Sequence, residues 1–329
     1  MMRGTGLFGA TMLVLAACSS DSTKALGPGG GGGSGGSVPS DITKDVTWTS
    51  GTKLPASVTI EVGVTVTIAP GAKLACAKDG TIIVLGILTT ASASSHASIS
   101  CDAWQGIAVG DGGKIKLDGL DISNAANGLE MQPNSSGNFD NGSIDGSQTP
   151  FLMGTASKLS VSHAKVTKPT GQSQIKGAFT ASYLAYDKAG NEGLILGDPT
   201  GSLDIADSVL TGSGGGDFVV AEAGGKVKVA YTLITGAHCG FHFDKVDSFK
   251  IDHVTSDDVY GAMLYGSGSG PNTISYSNIT GVSTSIDLQG TNGAIVIDHS
   301  YIGPNASYKG TSPMINAPAN ATVAGAAPR

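Results

Sequence analysis

The chain of 329 residues reads as an all-β solenoid, a stack of about ten coils of roughly 22 to 24 residues each. Three observations predict this. Apolar anchors recur at a nearly constant step along most of the sequence. The residues around each anchor alternate with period two, as in strands with one buried face. Glycine is abundant, at 50 residues, aromatics make up only 5 %, and helix-period patterns are scarce, which suits many short strands joined by tight turns.

The amino-terminal stretch stands apart from that pattern. Residues 1–17 carry one cation, Arg3, then an apolar run through Leu7, Phe8 and Leu13 to Leu15, ending in Ala16 and Ala17. This is the pattern of an export signal and is too short for a membrane span. Leu15-Ala16-Ala17-Cys18 resembles the lipobox of bacterial lipoproteins, which implies that Cys18 becomes the first mature residue and carries acyl chains. The serines at 19 and 20, where an aspartate is absent, resemble the outer-membrane address. The cell surface and the periplasmic face remain equal alternatives. Residues 18–40 include a run from Gly27 to Gly36 interrupted only by Pro28 and Ser34, a flexible tether with no core of its own. The expected organisation is a leader to 17, a tether to 40, a β-helix over 41–315 and a tail over 316–329.

The repeat is clearest at Leu117, Phe139, Val161, Ala181, Ile205, Val229, Ile251, Ile274 and Ile297, with a mean step of about 22.5 residues. A second anchor follows by 12 or 13 residues: Leu129, Phe151, Leu194, Phe218, Phe241, Met263 and Ile286, with no clear match near Ile175. A third lies five residues after the first, as at Ile122, Ile144, Val166, Leu210, Ile234, Ile279 and Ile302. Three strands per coil follow, and such coils bury their apolar faces only by stacking. Upstream, the alternation from Val58 to Ile68 marks the start of the stack. The pattern over Val58 to Ile302 resembles the right-handed parallel β-helix of the pectin-lyase-like superfamily. Leu74-Ala75-Cys76 and Ile99-Ser100-Cys101 are equivalent in pattern and 25 residues apart, so a Cys76–Cys101 disulfide between adjacent coils is expected in an exported chain. Cys239 is left over, as a small core residue near Phe241.

Composition limits function. The net charge of −7 leaves no basic footprint for nucleic acid. Arginine occurs only at positions 3 and 329, so the body has no guanidinium for bidentate recognition of carboxylates or phosphates.

Two residue sets invite a functional reading. Two positions after the first anchor lie Asn141, His163, Tyr183, Asp207, Tyr231, His253, Tyr276 and His299, which stacking brings into one file. The file is either a sugar-binding strip of rings, imidazoles and hydroxyls, with His163, Tyr183, Tyr231, His253, Tyr276 and His299 as ligand contacts, or a turn ladder. The resemblance favours the ladder, since β-helices of that kind stack Asn side chains at this corner.

The second set holds His238, His242, Asp244, Asp247, His253, Asp257 and Asp258, carboxylates and imidazoles suited to acid and base work on a glycosidic bond or to binding a cation. Of these, His242, Asp244, His253, Asp257 and Asp258 are the catalytic candidates. Asp257-Asp258 is similar to the paired aspartates of polygalacturonases, but their Gly-His-Gly and Arg-Ile-Lys segments are missing, and pectate lyases use an Arg base that this body lacks. No metal-ligand spacing and no cofactor motif stands out. The expectation is a non-catalytic envelope or surface lipoprotein, joined to the membrane through its lipid anchor, whose wall binds glycan or other envelope components or acts as a structural or adhesive module. The alternative is a polysaccharide lyase or glycoside hydrolase working on the same wall.

Overall fold

A strand only three to five residues long buries too little surface to persist alone, and here such strands inside the stack gain a parallel partner one coil above and one below. The computed structural model describes residues 37–91, 95–187, 192–289, 295–309 and 314–316. The leader, Cys18, the Gly-rich run and most of the tail lie outside the described residues. The chain forms a parallel β-solenoid of about 11 turns of about 22 residues, with no helix among the described residues.

Each coil visits three faces. The first is a ladder of 13 strands running from Val46–Trp48 through Ser202–Ala206 to Met314–Asn316. The second consists of strands such as Val209–Thr211, and the third of strands such as Val219–Ala221. These two faces join into one sheet because Ala97–Val109 and Leu120–Met131 run straight through the corner between them. The count exceeds the expected ten because the stack begins before Val58: Asp41–Ile42 pairs with Ser57–Ile60, and Val46–Trp48 pairs with Thr65–Ile68. Ser37 already bridges to Lys53, so the ladder engages the chain within the stretch expected to be tether.

The first-anchor register holds at every step: Leu117 pairs with Phe139, and the succession continues without a slip to Ile274 and Ile297. All nine anchors are buried in one continuous apolar core. The second-anchor register needs two corrections. Val219 and Leu264 occupy the ladder positions assigned to Phe218 and Met263, since Leu194 pairs with Val219 and Phe241 with Leu264. Both members of each adjacent pair are fully buried at these corners, so alternation alone does not separate them. The missing anchor near Ile175 is Ser173, paired with Leu194. Its hydroxyl lies 3.0 Å from the Tyr186 hydroxyl, which occupies the third-anchor position and donates to Gly193 O at 3.3 Å. A buried polar pair thus replaces an apolar contact, and each member satisfies the other.

Cys76 and Cys101 stand opposite one another, because Leu74 pairs with Ile99, and they form the expected disulfide with Cα atoms 5.5 Å apart.

Candidate functional site

The corner between the first and second faces holds the predicted file. Every member has a left-handed backbone, with φ between 44° and 52° from Asn141 to His299. Gly119, one coil earlier, opens the series at φ 70°. This conformation turns the chain through the corner while the amide still points along the solenoid axis. His163 N donates to Ser182 O at 3.1 Å and His253 N to Ser275 O at 2.9 Å, so the ladder continues around the bend. Beneath the file, Ser208, Thr232, Ser277 and Ser300 are buried, each donating to the carbonyl two residues earlier.

The rings spend their faces on one another. His163 and Tyr183 stack with centroids 4.6 Å apart and planes 12° apart, and Tyr231, His253, Tyr276 and His299 form a continuous run at 4.5, 4.9 and 5.0 Å. A sugar stacking on an aromatic needs an open ring face, and His253 and Tyr276, each stacked on both sides, have both faces taken. The carboxylates preceding the file hold several members: Asn141 Nδ2 donates to Asp118 at 2.9 Å, and His253 and His299 lie 3.1 and 2.8 Å from Asp252 and Asp298.

The outward side of the first face carries three parallel columns. Lys114, Lys158 and Lys226 fall in one, spaced by small residues such as Ser136 and Ser202. The central column runs Lys116, Asn138, Ser160, Thr180, Asp204, Lys228 and Lys250. The third, beside the ring file, contains Asp118, Asp140, Asp252 and Asp298. Charge is therefore graded across the wall, cationic on one edge and anionic on the other. Shallow troughs of about 310 and 520 Å³ lie along it, lined by lysines with serines and threonines, and a third of about 320 Å³ towards the ring file combines Lys116 with Asp118, Asp140 and hydroxyl-bearing residues.

The second residue set does not form one site. His253 belongs to the ring file. Asp257 ends a second-face strand, and Asp258 turns the next corner with φ 52°, accepting from the Tyr260 hydroxyl at 3.1 Å. His242 lies on the third face, in Phe241–Val246, with its Nε2 3.3 Å from the exposed Asp244. No family model, curated protein or solved structure matches this chain. Function therefore rests on its own geometry.

Around His242 the structure assembles a tighter group, centred on Asp217, which the sequence reading missed. Asp217 Oδ1 accepts from Cys239 N at 2.9 Å and lies 3.2 Å from His238 Nδ1, while Oδ2 meets His242 Nδ1. Cys239 Sγ lies 3.5 Å from His238 Nδ1. Burial pushes the Asp217 carboxyl up, but hydrogen bonds with His242, Cys239 and His238 outweigh it and hold the group at about 2. The same bond to Asp217 raises His242 above the ordinary imidazole range, and burial pushes the Cys239 thiol up to about 12. A signal for Asp217 existed, since it precedes Cys239 by 22 residues, one coil. The run Gly212-Ser213-Gly214-Gly215-Gly216 before it reads as turn chemistry and obscured it.

Proposed function

We propose that this chain is a non-catalytic lipoprotein of the bacterial envelope, anchored through Cys18 on the outer membrane, whose first face is a docking wall for an extended anionic glycan. The observation that carries the reading is the graded outer surface of that face, with lysines at intervals along one edge and centre, hydroxyl-bearing side chains between them, and, among the described residues, a single carboxylate in those two columns, Asp204, paired with Lys228 at 3.0 Å. A carboxylated polymer laid along the solenoid axis meets amines at Lys114 and Lys116, at Lys158, and at Lys226, Lys228 and Lys250, with lysine-free strands of that face between these groups, and the serine and threonine hydroxyls match sugar hydroxyls. The ring file bounds this wall as a structural rail. The pectin-lyase-like resemblance is consistent with glycan as the ligand class, although a fold does not by itself specify function.

The test is a comparison of uronate-bearing and neutral polysaccharides for binding, followed by assay of bound polymer for cleavage. The expected result is salt-sensitive binding of the acidic polymers that falls at least tenfold in Lys116→Glu/Lys158→Glu, with no cleavage. Equal binding of neutral polymers, or binding indifferent to the two reversals, removes the docking wall, and cleavage establishes the lyase or hydrolase alternative. In the same preparations Cys18→Ser is expected to leave the membrane fraction, and retention there after a high-salt wash disproves the anchor.

A further inference from the structure

We propose that Asp217, His238, Cys239 and His242 form a binding site for a tetrahedral divalent metal of the zinc class, stapling two adjacent coils at the edge of the third face. Asp217 comes from one coil and the other three residues from the next. Donor atoms of Asp217, Cys239 and His242 all lie within 4.8 Å of one another. His238 Nδ1 adds a fourth, 3.2 Å from Asp217 Oδ1 and 3.5 Å from Cys239 Sγ. Around tetrahedral zinc, with bonds of about 2.0 to 2.3 Å, neighbouring donors stand about 3.3 to 3.8 Å apart. The second of these separations falls within that range and the first within about 0.1 Å of it.

The donor chemistry selects the ion. A thiolate and two imidazoles favour zinc and its borderline-soft neighbours, whereas calcium takes six to eight oxygens and magnesium an oxygen octahedron. One thiolate and one carboxylate also balance the two charges of the cation. Outer contacts resemble those that orient ligands in metal centres. His242 offers Nδ1 inward while its Nε2 lies 3.3 Å from Asp244, and the Tyr265 ring packs edge-on at 4.7 Å. Cys239 N fixes the Asp217 carboxylate. Gly261 leaves room for the His238 ring, since a Cβ there would stand 3.0 Å from the ring atoms. Cys239 is 4 % exposed and has no cysteine partner among the described residues, yet its sulfur turns towards the imidazole of His238.

The full chain, stripped with chelator and dialysed, is titrated with Zn²⁺ by calorimetry and with Co²⁺ by absorption spectroscopy. The expected results are one ion per chain, a thiolate-to-cobalt charge-transfer band with tetrahedral visible bands, and a higher melting temperature with Zn²⁺. Cys239→Ser should abolish the charge-transfer band and weaken Zn²⁺ at least a hundredfold. His238→Ala changes a side chain that is 59 % exposed, so it should fold normally and still lose at least tenfold in affinity. His163→Ala, in the distant ring file, should bind as the unaltered chain does. Absence of stoichiometric binding, a cobalt complex without the sulfur band, or unchanged affinity in His238→Ala overturns the site. The last comparison stands even if Cys239→Ser does not fold.

Discussion

At His253 two substitutions separate the cost of the corner from the value of the stack. The residue has φ 51°, stacks on Tyr231 at 4.5 Å and on Tyr276 at 4.9 Å, and lies 3.1 Å from Asp252. His253→Ala removes both ring contacts while keeping a Cβ in the left-handed region. Each such contact is worth about 0.5 to 1.5 kcal/mol beyond its area, so the expected loss is about 1 to 3 kcal/mol. His253→Gly loses the same contacts but escapes the left-handed penalty of about 1 to 2 kcal/mol. The greater freedom of glycine in the unfolded chain takes back about 0.4 to 1 kcal/mol, leaving the Gly variant more stable than the Ala variant by about 0.5 to 1 kcal/mol. Urea unfolding of both variants, with unchanged slope, measures the difference. A Gly variant less stable than the Ala variant would show that the corner is not left-handed. An Ala variant as stable as the unaltered chain would show that the file carries no stacking energy.

Two further outcomes test the packing. Loss of the Cys76–Cys101 bond by Cys76→Ala/Cys101→Ala opens a loop of sequence separation 25, for which about 3 kcal/mol of stability is expected to disappear, and peptide mapping that finds both native thiols free contradicts the pairing. Tyr186→Phe should cost about 1 to 2 kcal/mol by leaving the buried Ser173 hydroxyl without its ring partner, while Ser173→Ala added to it should cost little more; additive losses in that double-mutant cycle would mean that the two hydroxyls do not meet.

The solenoid was legible because its repeat is written in residues that favour burial: a β-branched side chain at Ile205, Val229 or Ile251 has one place to go, and register follows. Legibility ended where two neighbours are both buried. Phe218 and Val219, like Met263 and Leu264, differ in ladder position but not in hydropathy. Ser173 was invisible for the opposite reason, since a polar residue in an apolar column makes sense only once Tyr186 is known to meet it. The corner file was found by spacing, but spacing could not show that the rings lie face to face, which follows from the left-handed backbone they share. Grouping His242 with His253, Asp257 and Asp258 followed nearness in sequence, whereas a coil places residues ten apart on different faces. The partner that matters to His242, Asp217, lies a full coil away.

The disulfide also has a mechanical meaning. A pull applied through the chain ahead of Asp41 acts on the amino-terminal end of the stack and peels strands from their neighbours one coil at a time. The ladders resist this weakly, because each short strand gives way before the next is loaded. When the peeling reaches Cys76, the load passes across the covalent bond to Cys101, and the residues between them carry none of it. The first coils then act as an extensible lead, and the bridge is a stop from which any further rupture must begin one coil deeper in the stack.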